Sequence, residues 1–188
     1  MKFLQKIIAL MFAFVLISGV CEAATAETVN NGEELARVKR LAIIYPDYYQ
    51  TLDKEPNINE FMNALYEASK VSKNYVLSYE DMANRIKSDT GIDIRVLKKP
   101  DARKIFKEHV YKYADAYVWV TLANNARINM FFDVYAVNTN ELVYTLRNEG
   151  GKSDESKNVK TYKTMAEEFY RIFDKAVQTE EKKLKDKD

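Results

Sequence analysis

Ala116-Tyr-Val-Trp-Val-Thr-Leu122, a polar corner, Ile128-Asn-Met-Phe-Phe-Asp-Val-Tyr-Ala-Val137 and then Leu142-Val-Tyr-Thr-Leu146 form the stretch that decides the fold. These are three runs rich in β-branched and aromatic residues. The last two are joined by the turn Asn138-Thr139-Asn140-Glu141, and together they read as an antiparallel meander. On the middle run a period of two puts Ile128, Met130, Phe132, Val134 and Ala136 on one face. Asn129, Phe131, Asp133 and Tyr135 share the other. The first face is wholly apolar and demands a helical cover. The second is mixed. If no helix covers it, Tyr117, Trp119, Phe131, Tyr135 and Tyr144 form an exposed aromatic platform, the candidate interaction surface.

Upstream, Arg40-Leu-Ala-Ile-Ile-Tyr45 is a continuous apolar run closed by Pro46, the pattern of a buried central strand. Residues 46–56 read as a loop bearing Tyr48 and Tyr49. Asn57 with Glu60 marks a helix start, and Ile58, Phe61, Met62, Leu65 and Ala68 then share one helical face. Tyr75-Val-Leu77 is a short second strand. Ser78 with Asp81 opens a helix that carries Met82 and Ile86 and stops near Gly91. The alternation of Ile92, Ile94 and Val96 allows an edge strand or an extended loop. Pro100 sits at a first helical position, ahead of Ala102, Ile105, Phe106, Val110 and Tyr113. After Arg147, residues 148–157 read as a polar loop. Tyr162, Met165, Phe169, Ile172, Phe173 and Ala176 then form the apolar stripe of a last helix.

Strands joined by helices run parallel through right-handed crossovers, whereas the meander strands are antiparallel neighbours. The predicted fold is α/β: a five-stranded mixed sheet, two βα units followed by a three-strand antiparallel meander, with a long C-terminal helix packed on it.

The 188 residues suffice for one domain. Lys2 and Lys6, the apolar run Ile7–Ile17 and the small-x-small Ala24-Thr25-Ala26 make residues 1–26 a signal peptide. Cleavage falls after Ala26, with a cut after Ala23 as the alternative. Residues 27–37 read as a flexible mature terminus, 38–178 as the single α/β domain and 179–188 as a charged disordered tail. Removing residues 1–26 takes away Lys2, Lys6 and Glu22 and leaves equal numbers of acidic and basic residues. No global field then favours nucleic acid. Cys21, the single cysteine, lies in the leader, so the exported domain is held by its core without a disulfide. Membrane anchoring would require lipidation of Cys21, and Val20 stands where that motif needs a small residue.

Chemistry-bearing patterns are sparse. His109, the single histidine, lies mid-helix between Phe106 and Val110 and reads as a structural residue rather than half of a nucleophile pair. One His and no exported Cys leave no ordinary zinc set. Asp89-Thr-Gly-Ile-Asp93 lacks the spacing and closing Glu of a calcium loop. Gly151-Lys152-Ser153 resembles the end of a phosphate loop, but Leu146 occupies the place of its first glycine, so it reads as a solvated turn. No catalytic residue, cofactor or metal is expected. A basic patch gathers Arg95, Lys98, Lys99, Arg103, Lys104 and Lys107. With Asp93, Asp101 and Glu108 interspersed, it reads as the wet face of the Pro100 helix, or else as a site for an anionic partner.

Several motifs together resemble a known family. They are the strand closed by proline (Leu41–Pro46), the strand flowing into a capped helix (Tyr75–Met82), the Ala114-Asp-Ala-Tyr117 entry to a central strand and the hairpin Val137-Asn-Thr-Asn-Glu-Leu-Val143. In the hairpin Asn140 takes the usual glycine place, and Asn best tolerates the left-handed conformation there. Over residues 38–178 the chain is similar to the TolB amino-terminal-domain and CsgG-like family of envelope proteins. The resemblance implies a small α/β envelope domain. Neither the β-propeller nor the membrane-spanning hairpin of those relatives is evident, which points to a stand-alone domain.

The expected function is that of an exported, non-enzymatic envelope domain that binds another envelope protein. Two alternatives stand beside it. A small hydrolase would need two of Asp47, Asp133, Asp115 and Glu60 to converge with separated pKa values. A small-ligand binder would need a pocket that closely packed helices are not expected to leave.

Overall fold

A computed structural model describes residues 25–50, 56–124, 127–152 and 157–186. Its strands are β1 (Thr25–Val29), β2 (Arg40–Ile43), β3 (Asp47–Gln50), β4 (Tyr75–Leu77), β5 (Ala116–Asn124), β6 (Arg127–Ala136) and β7 (Leu142–Lys152). Its helices are α1 (Gly32–Ala36), α2 (Ile58–Ala68), α3 (Tyr79–Thr90), α4 (Lys99–His109) and α5 (Val159–Lys185). All strands join one mixed sheet of order β1-β7-β6-β5-β2-β4, and β3 continues along β5 beyond the end of β2. β2 is parallel to β4 and β5, while β5, β6, β7 and β1 are successively antiparallel. The parallel half and the meander stand as the sequence predicts.

The sheet has two more strands than the five expected, each for a local reason. Pro46 has no N–H and interrupts the ladder, and pairing with β5 resumes at Asp47, so β3 occupies part of the expected loop. β1 is exposed at all five positions and has no apolar face for a pattern to reveal. Residues 27–37 therefore complete a strand and a helix rather than a loose terminus. The Asn31 side chain caps α1 by accepting from Glu34 N (3.1 Å), and Leu35 and Ala36 are buried. Three further expectations change. Residues 92–97 contain a single 3-10 turn, Ile94–Val96, capped by Asp93. β7 runs on through Asn148, which is fully buried and donates to Met165 O and Glu168 Oε2 at 3.3 and 2.8 Å. α5 extends to Lys185, its last turn carrying Lys182, Lys183 and Lys185 where the helix dipole favours cations.

Local chemistry sets the element boundaries. Ser78 and Asp81 close a reciprocal capping box on α3, and Gly91 ends that helix at φ 76°. Asn140 adopts φ 55°, the left-handed position read from the hairpin. Asp115 explains the motif at the entry to β5: its carboxylate accepts from Lys39 N, Arg40 N and the Arg40 guanidinium at 3.1, 2.9 and 2.8 Å. It thereby pins the start of β2 to the start of β5.

Helices α1, α2 and α5 cover one sheet face, burying Ile128, Met130, Phe132, Val134 and Ala136. Phe169 of α5 lies flat on Phe132, with centroids 4.3 Å apart and planes at 4°. Helices α3 and α4 cover the other face only over β2, β4 and the first part of β5. No described helix is long and apolar enough to cross a membrane.

Two outcomes follow from this packing. Phe169→Ala should cost about 3–5 kcal/mol in urea unfolding, the range for a buried aromatic. A chain beginning at Glu27 loses Thr25 and Ala26 from the β1 ladder and the Thr25 bond to Glu168, whereas one beginning at Ala24 keeps them. The shorter form should be less stable by about 1–2 kcal/mol at the same m-value, since each net hydrogen bond is worth about 1 kcal/mol.

Candidate functional site

Alternation along β5 and β6 places Tyr117, Trp119 and Thr121 opposite Tyr135, Asp133 and Phe131 on the face away from α5. α4 lies along one side of this row. Its residues Lys99, Arg103 and Lys107 recur every four positions and therefore share one helical stripe. The stripe is turned toward the sheet. The Arg103 guanidinium carbon sits 4.3 Å from the Trp119 ring centre. Lys107 Nζ lies 5.2, 5.4 and 5.8 Å from the rings of Trp119, Tyr117 and Tyr135. Cations over aromatic faces are stabilised by the ring quadrupole, and more so when half-buried as here.

Asp47, brought to the same place by β3, ties these groups together. Its Oδ1 pairs with Lys99 Nζ (2.8 Å) and an Arg103 terminal nitrogen (2.5 Å), while its Oδ2 accepts from Trp119 Nε1 (3.0 Å). Burial pushes the Asp47 carboxyl up, but hydrogen bonds and charge from Arg103 and Lys99 outweigh it and hold the pKa below the usual carboxylate range. Lys107 differs. Among the described residues it has no carboxylate partner, and burial together with the Arg103 charge lowers its pKa from the ordinary lysine value.

The five-residue platform is therefore smaller than the sequence suggests. Tyr144 belongs to the opposite core: it is fully buried, its ring centre 5.3 Å from Phe173. The cause is a bulge. Val134 pairs with Tyr144 but Tyr135 with Leu142, so Val143 is an extra residue that reverses the alternation of β7. Tyr117 is on the expected face but buried, stacked on Tyr135 at 5.2 Å, edge-on to Phe106 and donating its hydroxyl to Asn140 Oδ1 (2.5 Å). Trp119, Phe131 and Tyr135 remain partly exposed. Arg147 lies over Phe131 at 5.7 Å, and Thr145 donates to Asp133 Oδ1 (2.9 Å).

The basic patch also divides. Lys98 and Lys104 are exposed, as a wet face requires, but Lys99, Arg103 and Lys107 are not part of that face. Arg95 stands apart, bonded to Asp93, Glu80 and Asn84. The four-residue recurrence was visible in the sequence. The presence of Asp47 was not, because it depends on β3 resuming along β5.

The four carboxylates of the hydrolase alternative are dispersed or engaged. Asp115 precedes β5 and Asp47 lies beside Thr121, six residues along the strand, or roughly 20 Å at 3.3 Å per residue. Asp115 is held below the usual range: burial raises its carboxyl, but the bonds from Arg40 and the Lys39 and Arg40 amides lower it further. Glu60 is exposed in the first turn of α2.

Asp47 gives a pH-dependent prediction. A depressed folded pKa means that its stabilisation is complete above the ordinary carboxylate value of about 3.9 and disappears as pH falls through the lower folded value. Asp47→Asn should therefore be less stable than wild type at pH 7, with the gap narrowing below about pH 4. Urea titrations at pH 7 and pH 3 measure it.

No protein-family model matches the chain, and no curated protein matches it. Solved structures are similar at low identity. The LpoB C-terminal domain from Salmonella enterica matches at 14% identity and TM-score 0.47, covering 61% of this chain and 83% of that one. The Escherichia coli LpoB C-terminal domain matches at 13% and 0.47, covering 61% and 84%. A PelC dodecamer chain from Paraburkholderia phytofirmans matches at 10% and 0.39, covering 79% and 98%. None of these is a TolB or CsgG chain, and likeness of this degree assigns no family.

Proposed function

We propose that this chain is an exported, non-enzymatic domain of the cell envelope that binds another envelope protein through the face bearing Trp119, Phe131 and Tyr135. One observation carries the reading. Among the described residues the antiparallel half of the sheet is fully covered by helices on one face, while the other, with α4 only along its margin, presents partly exposed aromatics beside Lys107, which has no carboxylate partner there. Aromatic residues with adaptable polar tips are the common anchors of protein interfaces. A half-buried cation without a carboxylate favours a partner that supplies one. The leader at residues 1–26 supports export. The tied carboxylates Asp47 and Asp115 count against a general-acid role, because a general acid needs its pKa raised.

The test is affinity capture from envelope extract with the mature protein, comparing wild type, Trp119→Ala, Lys107→Glu and Tyr75→Ala. Tyr75, 59% exposed on β4 at the far margin of the sheet, is the control. Trp119→Ala and Lys107→Glu should each reduce partner recovery about tenfold, equivalent to about 1.4 kcal/mol, with Tyr75→Ala unchanged. Added salt should weaken the wild-type interaction. Equal recovery by all four proteins, with folding verified by circular dichroism, overturns the assignment to this face.

A further inference from the structure

A second site lies at the first turn of α4. β2 and β4 are parallel neighbours, but the chain leaves them in opposite directions. After β2 it reaches α2, on the α5 side of the sheet. After β4 it enters α3, on the α4 side. Where the helices following adjacent parallel strands depart to opposite faces, the carboxyl ends of the strands open a crevice, and open α/β sheets bind their ligands there. In this protein the crevice is a cleft of about 770 Å³, within the usual range for small-molecule sites. The expectation that packed helices would leave no pocket is thereby corrected.

The lining has two characters. Tyr45, just past β2, Tyr79, just past β4, and Met62, Tyr66 and Leu97 supply an aromatic and apolar wall. Tyr45 and Tyr79 meet edge to face at 5.4 Å, so that part of the wall is rigid. Arg95 and Lys99 supply the polar end. Arg95 is immobilised by Asp93, Glu80 and Asn84, and Lys99 by Asp47. Of those three carboxylates only Glu80 lines the cleft; Asp47 and Asp93 hold their cations from outside it. Among the described residues the cleft is therefore lined by two held cations and one carboxylate, and that carboxylate is already bonded to Arg95. Such a site favours an anion, because its positive groups are ordered before the ligand arrives.

We propose that this cleft binds a small molecule with a flat apolar or aromatic body and one anionic group, the body against Tyr45, Tyr66 and Tyr79 and the anion at Lys99 and Arg95. The site goes beyond the proposed protein-binding face and does not depend on it, since Trp119, Phe131, Tyr135 and Lys107 do not line the cleft.

The test uses two probes on the purified mature protein. One is 8-anilinonaphthalene-1-sulfonate, which joins an aromatic body to a sulfonate; the other is N-phenyl-1-naphthylamine, which lacks the anion. Fluorescence titration measures affinity, and amide chemical shifts locate the site. The sulfonate probe should saturate one site, with shifts centred on Tyr66, Tyr79 and Leu97, and bind about tenfold more tightly than the neutral probe. Asn63→Trp, which fills the cleft from α2, should abolish binding of both probes. Lys99→Gln should weaken the sulfonate probe about fivefold and leave the neutral one unchanged. Absence of saturable binding, shifts centred on Trp119 and Phe131, or retained binding in Asn63→Trp each overturn the site. Equal affinity for the two probes overturns the anionic class. None of these readouts depends on partner capture, so the two proposals succeed or fail separately.

Discussion

The structure depends on α5 occupying one face of the meander. Tyr162, Met165, Phe169, Phe173 and Val177 form a stripe along that helix, and the wholly apolar face of β6 is its counterpart. Phe169 on Phe132 marks the centre of the contact. Each large side chain buried there contributes roughly 1.5–3 kcal/mol before conformational entropy is charged, so several together outweigh any surface ion pair. With this face taken, the opposite face of the antiparallel half is left with only α4 at its margin. The uncovered aromatics are thus a product of where the apolar surface was spent.

Asp47 is the electrostatic counterpart of that packing. A carboxylate this enclosed would be unfavourable alone, and its two cations and the indole N–H make it tolerable. The arrangement also fixes Trp119: the ring is held from its edge by Asp47 and over its face by Arg103. A ring restrained in this way loses little rotamer freedom on contact with another molecule, which is the property wanted of an interface anchor.

The legible parts of this fold are those governed by local period. The faces of β6, the caps at Asn57, Ser78 and Gly91 and the left-handed Asn140 could all be read residue by residue, because each depends on neighbours within a few positions. What could not be read depends on distant pairing. The face of Tyr144 is set by one inserted residue, Val143, and unbroken alternation from Leu142 gives the wrong answer. The recurrence of Lys99, Arg103 and Lys107 announces a shared stripe, but whether it meets water or rings is decided by how α4 is rotated on the sheet. The cleft is less legible still, since it arises from two crossovers leaving on opposite faces.

The two outermost strands bear on how such a domain behaves at high concentration. A sheet edge with free amides and carbonyls is a template for a second chain. Here one margin is formed by β4 and β3, three and four residues long, and the other by β1, whose Thr25, Glu27 and Thr28 are polar and exposed. β1 seals the longer β7, whose Val143, Tyr144 and Leu146 are fully buried. A short margin and a charged one offer a poor register for edge-to-edge growth. The strand that looked least like structure in the sequence therefore takes up the edge at which β7 would otherwise offer a template to a second chain.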